Sequence, residues 1–144
     1  MVPSTQTNYR DAYNQAARAT YAGVAGHLWV PNSNLEFDRV LNDIVNPIHR
    51  DAVWLALTDE AIEGKWVFTA GPESGADVTD LAWWSGGEPN GGTGENCAVH
   101  WPGSVNLGDV SCFNHRLRFV IEYECPFGQR FNDAGSACIG SLCA

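Results

Sequence analysis

The sequence has no apolar run long enough to cross a membrane, and it has few basic residues. A membrane-spanning helix needs about 18 or more consecutive apolar residues, so we expect no membrane span. Lys and Arg number 8 against 17 Asp and Glu, which gives a formal net charge of −9. Nucleic-acid binders need a basic face, so nucleic acid is not an expected partner. The first residues also lack an apolar signal region, as expected if a signal was removed or a domain was excised.

Cysteine is present, but not in the spacing typical of metal-binding pairs. No Cys-x-x-Cys occurs and the four His are scattered, so we do not expect a zinc site. Five cysteines in 144 residues favour an oxidising compartment, and therefore a secreted, extracellular or cell-surface protein. The odd number leaves one cysteine unpaired or paired outside the domain.

The length and composition fit one domain whose N-terminal part is helical. The chain is 44% hydrophobic, which is enough for a core. Small apolar residues recur at helical spacing over residues 8–22 and predict a first helix. Gly23 and Gly26 are expected to end it.

A second helix is predicted to begin at Ser33. Ser33 and Glu36 fit a capping box, in which the serine caps the helix and the glutamate reaches back to it. Pro47 is expected to stop this helix near Asn46. An apolar stripe runs along it: Leu35, Phe37, Val40, Leu41, Ile44 and Val45.

Short apolar or alternating runs predict strands at residues 52–57, 65–68, 81–84, 97–101 and 117–123, and a strand or a buried connector at residues 27–30. Residues 52–57 are continuously apolar, which is typical of a buried central strand. Residues 125–144 are rich in Gly and Cys and poor in core-forming side chains. We therefore place one domain at residues 7–124, followed by a tail or the start of a truncated module at 125–144.

Acidic and amide side chains are crowded into glycine-rich sequence in the middle of the chain. They fall in four segments, at residues 58–64, 84–90, 94–97 and 109–112. Calcium takes six to eight oxygen ligands from carboxylates, amides, backbone carbonyls and water. The clustering therefore predicts a calcium site presented by a long loop, although a carboxylate taken singly is more typical of a solvated loop.

The order of helices, strands and acidic segments resembles the C-type lectin-like domain from about residue 7 to 124. Residues 25–28, 54–57 and 63–66 are similar to the family patterns Gly-Gly-His-Leu, Trp-Ile-Gly-Leu and Glu-Gly-x-Trp. Residues 84–90 are similar to the long-loop pattern with Glu-Pro-Asn. Residues 94–97 and 109–112 are similar to the segments that carry the family's final ligands. The resemblance implies an α+β fold in which two helices flank short antiparallel sheets with a long calcium-binding loop.

The resemblance also implies a ligand set. Glu88, Asn90, Glu95 and Asp109 would be the primary Ca²⁺ ligands and the sugar-binding residues, with a cis bond at Glu88-Pro89. The Glu-Pro-Asn motif implies sugars with equatorial vicinal hydroxyls, of the mannose, glucose or fucose type. Two such hydroxyls would replace water on the calcium.

A nearby aromatic residue, for which Trp101 is the candidate, would stack on the sugar. Single-sugar affinity would be weak, and multivalency through oligomerisation or flanking modules would raise it.

The sequence departs from the family pattern at one primary ligand. Gly108 stands where an amide ligand is expected, and Asn106 is the alternative if the loop is shifted. An auxiliary calcium site is matched by Asp59 and Glu63, with Glu95, whereas Gly91 and Asn96 stand where relatives often carry acidic residues.

The resemblance implies one disulfide inside the domain, Cys97–Cys112. The long disulfide of the family is absent, since Thr20 or Tyr21 and Ile121 occupy its positions, and apolar contact is expected to replace it. The pairing of Cys125, Cys138 and Cys143 in the tail stays open.

Three functions from different classes are considered for this sequence. The first is calcium-dependent carbohydrate binding, and the second is a protein- or surface-binding module of the same fold. The third is a glycoside-cleaving enzyme, which we do not expect because nothing in an exposed loop would raise the pKa of Glu88 or Glu95.

Overall fold

The computed structural model describes residues 1–45, 51–101, 106–126, 129–132, 134–135 and 137–140. Two helices and several short sheets are combined, so the α+β prediction is confirmed. None of the helices in these ranges is long and apolar enough to cross a membrane.

The first helix, α1, covers Tyr9–Arg18 and is capped by Asn8. The prediction that it continues to residue 22 is wrong. The chain leaves the helix because Thr20–Tyr21 forms strand β1, which pairs with strand β2 at Val24–Leu28. Ala22 and Gly23, with φ of 50° and 78°, make the turn between them, and glycine adopts this left-handed backbone readily.

The second helix, α2, covers Asn34–Arg39 and continues as a wider π-helical segment at Val40–Val45. Ser33 caps it as predicted and accepts from the Glu36 N–H at 3.2 Å. The Glu36 carboxylate does not close the capping box, since it accepts from the Asn32 N–H at 2.9 Å instead.

The apolar stripe of this helix is narrower than predicted. Leu35 is 63% exposed, whereas Phe37, Leu41 and Val45 are buried. The predicted stop near Asn46 and Pro47 lies outside the described residues.

The main sheet has five strands around one buried centre. Strand β3, Val53–Thr58, is buried along its whole length as predicted. Its neighbours give the order β4-β3-β5-β6, with β7 parallel to β3. The ranges are β4 Val67–Phe68, β5 Cys97–His100, β6 Leu107–Val110 and β7 Arg118–Phe119.

A second sheet has the order β1-β2-β8, where β8 is Ile121–Tyr123. The single strand predicted at 117–123 is therefore split between two sheets. The strand predicted at 81–84 is absent there, since Trp84 makes only an isolated bridge to Leu107. Strand β6 was not predicted, because its sequence has the composition of a loop.

The core lies between the helices and the main sheet. Trp54 is fully buried, contacts Tyr9 edge-on with ring centroids 5.7 Å apart, and donates its indole N–H to the Thr7 carbonyl at 2.8 Å. Phe37 stacks against Trp29 and Trp83, with ring centroids 5.6 and 5.2 Å apart. These contacts fix the scaffold from which the acidic loops project.

The tail forms a hairpin of β9, Gln129–Phe131, and β10, Cys138–Gly140. A disulfide joins Cys125 to Cys138, which settles the pairing left open by the sequence for two of the three tail cysteines. Cys143 lies outside the described residues. Tyr21 packs between Tyr123 and Phe131, with ring centroids 5.6 and 5.9 Å apart, so one position of the missing disulfide is occupied by an aromatic side chain that joins β1 to the tail.

Candidate functional site

Asp109 is the fixed point of the candidate site. It lies on β6 opposite Ala98 of β5, and it is only 5% exposed. Its two carboxylate oxygens accept from the backbone N–H groups of Asn90 and Gly91, each at 2.9 Å. A carboxylate on a sheet strand therefore holds the loop that carries the Glu-Pro-Asn motif.

Glu88 and Asn90 converge on Asp109 from that loop. The Glu88-Pro89 bond is cis, as the resemblance implies. Asn90 Nδ2 donates to Glu88 Oε1 at 2.8 Å, and the Asp109 N–H faces Glu88 Oε2 at 3.4 Å. Three of the four predicted calcium ligands thus form one hydrogen-bonded group.

Glu95 joins this group through Gly91. The Glu95 side chain lies directly against the α-carbon of Gly91, where any Cβ would overlap its Cβ, Cγ and Oε2. Gly91 therefore has two roles, since its N–H binds Asp109 and its lack of a side chain admits Glu95. The resemblance marked Gly91 only as a position where relatives carry an acid, so these roles were missed.

The carboxylates of the site repel one another. The side-chain hydrogen bond with Asp109, together with burial, raises the pKa of Glu88, and the charges of Asp109 and Glu95 act in the same direction. Burial alone would raise the pKa of Asp109. Its hydrogen bonds to Glu88 and to the backbone outweigh burial and hold that pKa below its usual value.

These pKa shifts correct one prediction and describe the donor set. The sequence argument that nothing would raise the pKa of Glu88 is wrong, because Asp109 does so. A cluster of carboxylates whose charges repel one another is also a cluster that a positive ion would stabilise. Hard oxygen donors of this kind fit Ca²⁺.

The auxiliary residues lie in the turn after β3. Asp59 is 3% exposed and its Oδ2 accepts from the Gly64 N–H at 2.9 Å, while its own N–H donates to the Asn96 carbonyl. Burial raises the pKa of Asp59, and desolvation and the charges of Asp59 and Asp109 raise the pKa of Glu63. The charge of Asp109, in the predicted primary site, therefore also acts on Asp59 and Glu63 in the predicted auxiliary site.

Gly108 and Trp101 meet at the edge of the site. A Cβ added at Gly108 would lie 2.8 Å from Trp101 Nε1, 3.4 Å from Trp101 Cδ1 and 3.5 Å from Glu88 Oε2. The indole therefore occupies the space into which a side chain at position 108 would project. Trp101 is 39% exposed, and Asn106 lies immediately before β6.

The disulfide implied by the resemblance is present. Cys97 and Cys112 are joined with an S–S distance of 2.04 Å. It links the start of β5 to the residues that follow β6, and so closes the pair of strands that carries Asp109.

A second group of ligand-type side chains was not predicted from the sequence. Within the described ranges, His27, Glu122 and Glu124 place potential ligand atoms within 4.8 Å of one another. Glu122 Oε2 also accepts from the Val30 N–H at 3.2 Å. The spacing of Glu122 and Glu124, two residues apart at the end of β8, was the available signal, but it does not show what lies opposite.

Sequence relatives match part of the chain. No family model matches it. Human tetranectin is 33% identical over 106 residues, which are 72% of this chain and 48% of tetranectin. Hepatic lectin of Gallus gallus is 33% identical over 86 residues, which are 59% of this chain and 39% of that protein. The chain thus spans about half or less of the curated relatives it matches.

Solved structures share the fold at lower identity. The carbohydrate-recognition domain of the mouse scavenger receptor C-type lectin has a TM-score of 0.67 at 23% identity, covering 86% of this chain and 87% of that one. The C-type lectin CEL-I from Cucumaria echinata has a TM-score of 0.70 at 20% identity, covering 85% and 89%. These relationships confirm a binding domain rather than an enzyme. Together with the two helices, the antiparallel sheets and the loop anchored by β6, they show that the chain contains a C-type lectin-like domain.

Proposed function

We propose that the chain binds carbohydrate through Ca²⁺, with a preference for mannose-, glucose- or fucose-type sugars that carry vicinal equatorial hydroxyls. The observation that carries this proposal is the convergence of Glu88, Asn90 and Asp109 in a loop tied to β6. The side chains of Glu88, Asn90, Glu95 and Asp109 would hold the ion. The bound ion would supply coordination positions that two sugar hydroxyls take from water.

The chain's own residues would orient the sugar. Glu88 and Glu95 can only accept hydrogen bonds when ionised, so they bind the hydrogens of the sugar hydroxyls. Asn90 uses one amide hydrogen on Glu88 Oε1, and its second amide hydrogen remains to donate to a hydroxyl oxygen. This division of donors and acceptors selects a pair of hydroxyls rather than a single one.

The auxiliary ion is a second part of the proposal. Asp59 and Glu63, with Glu95, would hold it beside the primary site. Support comes from the raised pKa values of Asp59 and Glu63, since a cation relieves the desolvation and the repulsion that raise them. Occupation of this site would stiffen the turn that carries Glu63 next to the loop.

We further propose an extracellular setting with multivalent glycan partners. Two disulfides, Cys97–Cys112 and Cys125–Cys138, are formed, and disulfides persist in oxidising compartments. Weak single sites gain useful affinity when several are linked.

A second candidate function has a specific observation in its favour. Gly108 lacks the amide that the family pattern expects, and the Trp101 indole fills the space beside it. An exposed indole beside a shallow polar loop also suits contact with a protein or another surface. In this alternative the fold and the ion would be retained without sugar binding.

Calorimetric titration tests the proposal. Ca²⁺ is titrated into chelator-stripped protein, and methyl α-mannoside is then titrated into the calcium-loaded form. Heat in both steps is expected. Calcium heat without heat from mannoside, fucoside or galactoside would favour the second function, and absence of calcium heat would refute the four-residue ligand set.

A matched pair of variants locates the ion. Glu95→Gln removes one proposed ligand charge, and Asp38→Asn removes an exposed charge on α2 that is not among the proposed ligands. Glu95→Gln should weaken calcium binding at least tenfold, since a charged ligand becomes neutral, whereas Asp38→Asn should leave it unchanged. Equal effects of the two variants would indicate general attraction by an acidic chain rather than a site.

A further inference from the structure

The four proposed calcium ligands offer a bound sugar few hydrogen-bond donors. Glu88, Glu95 and Asp109 are acceptors when ionised, and Asn90 is the one amide among the four primary ligands. A sugar hydroxyl that gives its hydrogen to a carboxylate still has oxygen lone pairs that a donor can bind. With glycine at position 108, the second amide donor that the resemblance implies is missing.

The indole of Trp101 presents its polar edge at that position. The two indole atoms nearest to a hypothetical Cβ of Gly108 are Nε1 at 2.8 Å and Cδ1 at 3.4 Å. These two atoms belong to the pyrrole ring, so the side of the indole that carries Nε1 lies at the corner between Gly108 and Glu88. Nε1 carries the only hydrogen-bond donor of the side chain. Trp101 is 39% exposed, so part of the side chain is open to a ligand above the loop.

We propose that the Trp101 indole N–H replaces the missing amide of position 108 as the second side-chain donor to the bound sugar. This inference rests on the proposed carbohydrate-binding function. It differs from stacking, because stacking uses the ring face and is insensitive to the N–H group. It also explains why position 108 is glycine, because any side chain there would overlap the indole.

Replacing the amide of position 108 by the Trp101 indole alters the selectivity for ligands as well as the affinity. An amide can donate or accept, whereas the indole N–H can only donate. The corner beside Glu88 would therefore bind a ligand oxygen through its lone pair, and it would disfavour a group that presents a hydrogen there. An N–H that donates to a ligand is worth roughly a two- to tenfold change in affinity when it is removed.

Three variants test the replacement by calorimetry with methyl α-mannoside in saturating Ca²⁺. Trp101→Phe keeps an aromatic face and removes the donor, so affinity should fall about two- to tenfold. Trp101→Ala should show at least the same loss. Trp101→Ala/Gly108→Asn opens the space and supplies an amide, and it should regain most of the affinity lost in Trp101→Ala. Calcium affinity should stay within about twofold of the wild type in all three.

The outcomes separate this inference from the function on which it rests. Wild-type binding that is unchanged in Trp101→Phe would overturn the donor role alone and leave the lectin proposal standing. Failure of the double variant to improve on Trp101→Ala would overturn the exchange between positions 101 and 108. Loss of calcium affinity together with sugar affinity in Trp101→Phe would assign Trp101 a structural role and refute the proposal. Wild-type protein that binds calcium but none of the three methyl glycosides would overturn the proposed function, and this inference with it.

Discussion

Asp109 should stabilise the loop even when no calcium is present. Its two oxygens each accept a backbone N–H of the loop at 2.9 Å, from Asn90 and Gly91, and the side chain is only 5% exposed. A hydrogen bond to a charged group contributes about 1.5–3 kcal/mol. Both donors lie in a loop that water can reach, which reduces the loss, so we expect Asp109→Ala to cost about 2–4 kcal/mol of the free energy of unfolding.

Asp109→Asn is a milder substitution than Asp109→Ala and should destabilise the protein less. The asparagine keeps the shape and one acceptor oxygen, so it retains one of the two bonds in neutral form. We expect a loss of about 1–2 kcal/mol, roughly half that of alanine. Denaturant unfolding in excess chelator measures both values, with Asp38→Asn as the control at an exposed site on α2.

The pH dependence of this effect has a definite sign. The pKa of Asp109 is lowered in the folded protein, so its ionised form is favoured by folding. The stabilisation is therefore present above the ordinary carboxylate pKa and is lost as pH falls through the folded pKa. The difference between wild type and Asp109→Asn should shrink in that acidic window. If both variants unfold like the wild type in chelator at neutral pH, Asp109 does not hold the loop, and the description of a preformed site is wrong.

Two further predictions concern the scaffold behind the site. Burial raises the pKa of Glu122 to about 8, so the folded state retains a proton that the unfolded state loses above its ordinary pKa. Stability should then fall as pH rises towards and through about 8, and Glu122→Gln should remove this dependence and stabilise by about 1–3 kcal/mol at pH 9. In the second case, a Cβ at Gly26 would lie 2.7 Å from Ile121 Cγ2 and 2.9 Å from the Ala16 carbonyl. Gly26→Ala should therefore cost about 1–3 kcal/mol by overpacking, measured by thermal or denaturant unfolding.

Each of these two predictions has a control. Charged and titratable groups lie near Glu122 on several elements, namely Glu36 on α2, His27 on β2, Glu124 after β8 and the amino group of Met1. An unchanged pH profile in Glu122→Gln would assign the dependence to one of them. For the glycine, Gly94→Ala adds a methyl group to open space, so a loss as large as that of Gly26→Ala would contradict the packing argument.

The parts of the fold that follow from the sequence are those encoded locally. Residues 52–57 are uniformly apolar and form the buried centre, β3, within one residue of the prediction. Ser33 caps α2 because its hydroxyl oxygen accepts a hydrogen bond from a free N–H group of the first turn. These features depend on neighbours in sequence, so a pattern is enough to find them.

The features that were missed depend on distant partners. Leu107–Val110 contains Gly and Asp and reads as loop, but it becomes β6 because four of its residues pair in register with β5. Likewise α1 ends early because Tyr21 pairs with Val24. Neither pairing leaves a periodic signal in the sequence.

The candidate ligands show the same division. The resemblance named Glu88, Asn90 and Asp109, and the structure brings their side chains together. It did not indicate that Gly91 would seat Glu95 and bind Asp109, since a glycine carries no functional group for a motif to match. The raised pKa of Glu88 was likewise hidden, because it depends on the distance to Asp109 rather than on the loop's own composition.

The register of β6 decides between the two substitutes considered for the amide at position 108. A shifted loop would be needed for Asn106 to take that place. Strands β5 and β6 pair residue by residue, from His100 with Leu107 to Cys97 with Val110, without a bulge. This register places Gly108, rather than Asn106, opposite Val99, so the shift that Asn106 would need is absent from β6. Trp101, whose Nε1 lies 2.8 Å from a Cβ at position 108, is already there, so the substitution is made by a side chain of the neighbouring strand's end rather than by a displaced loop.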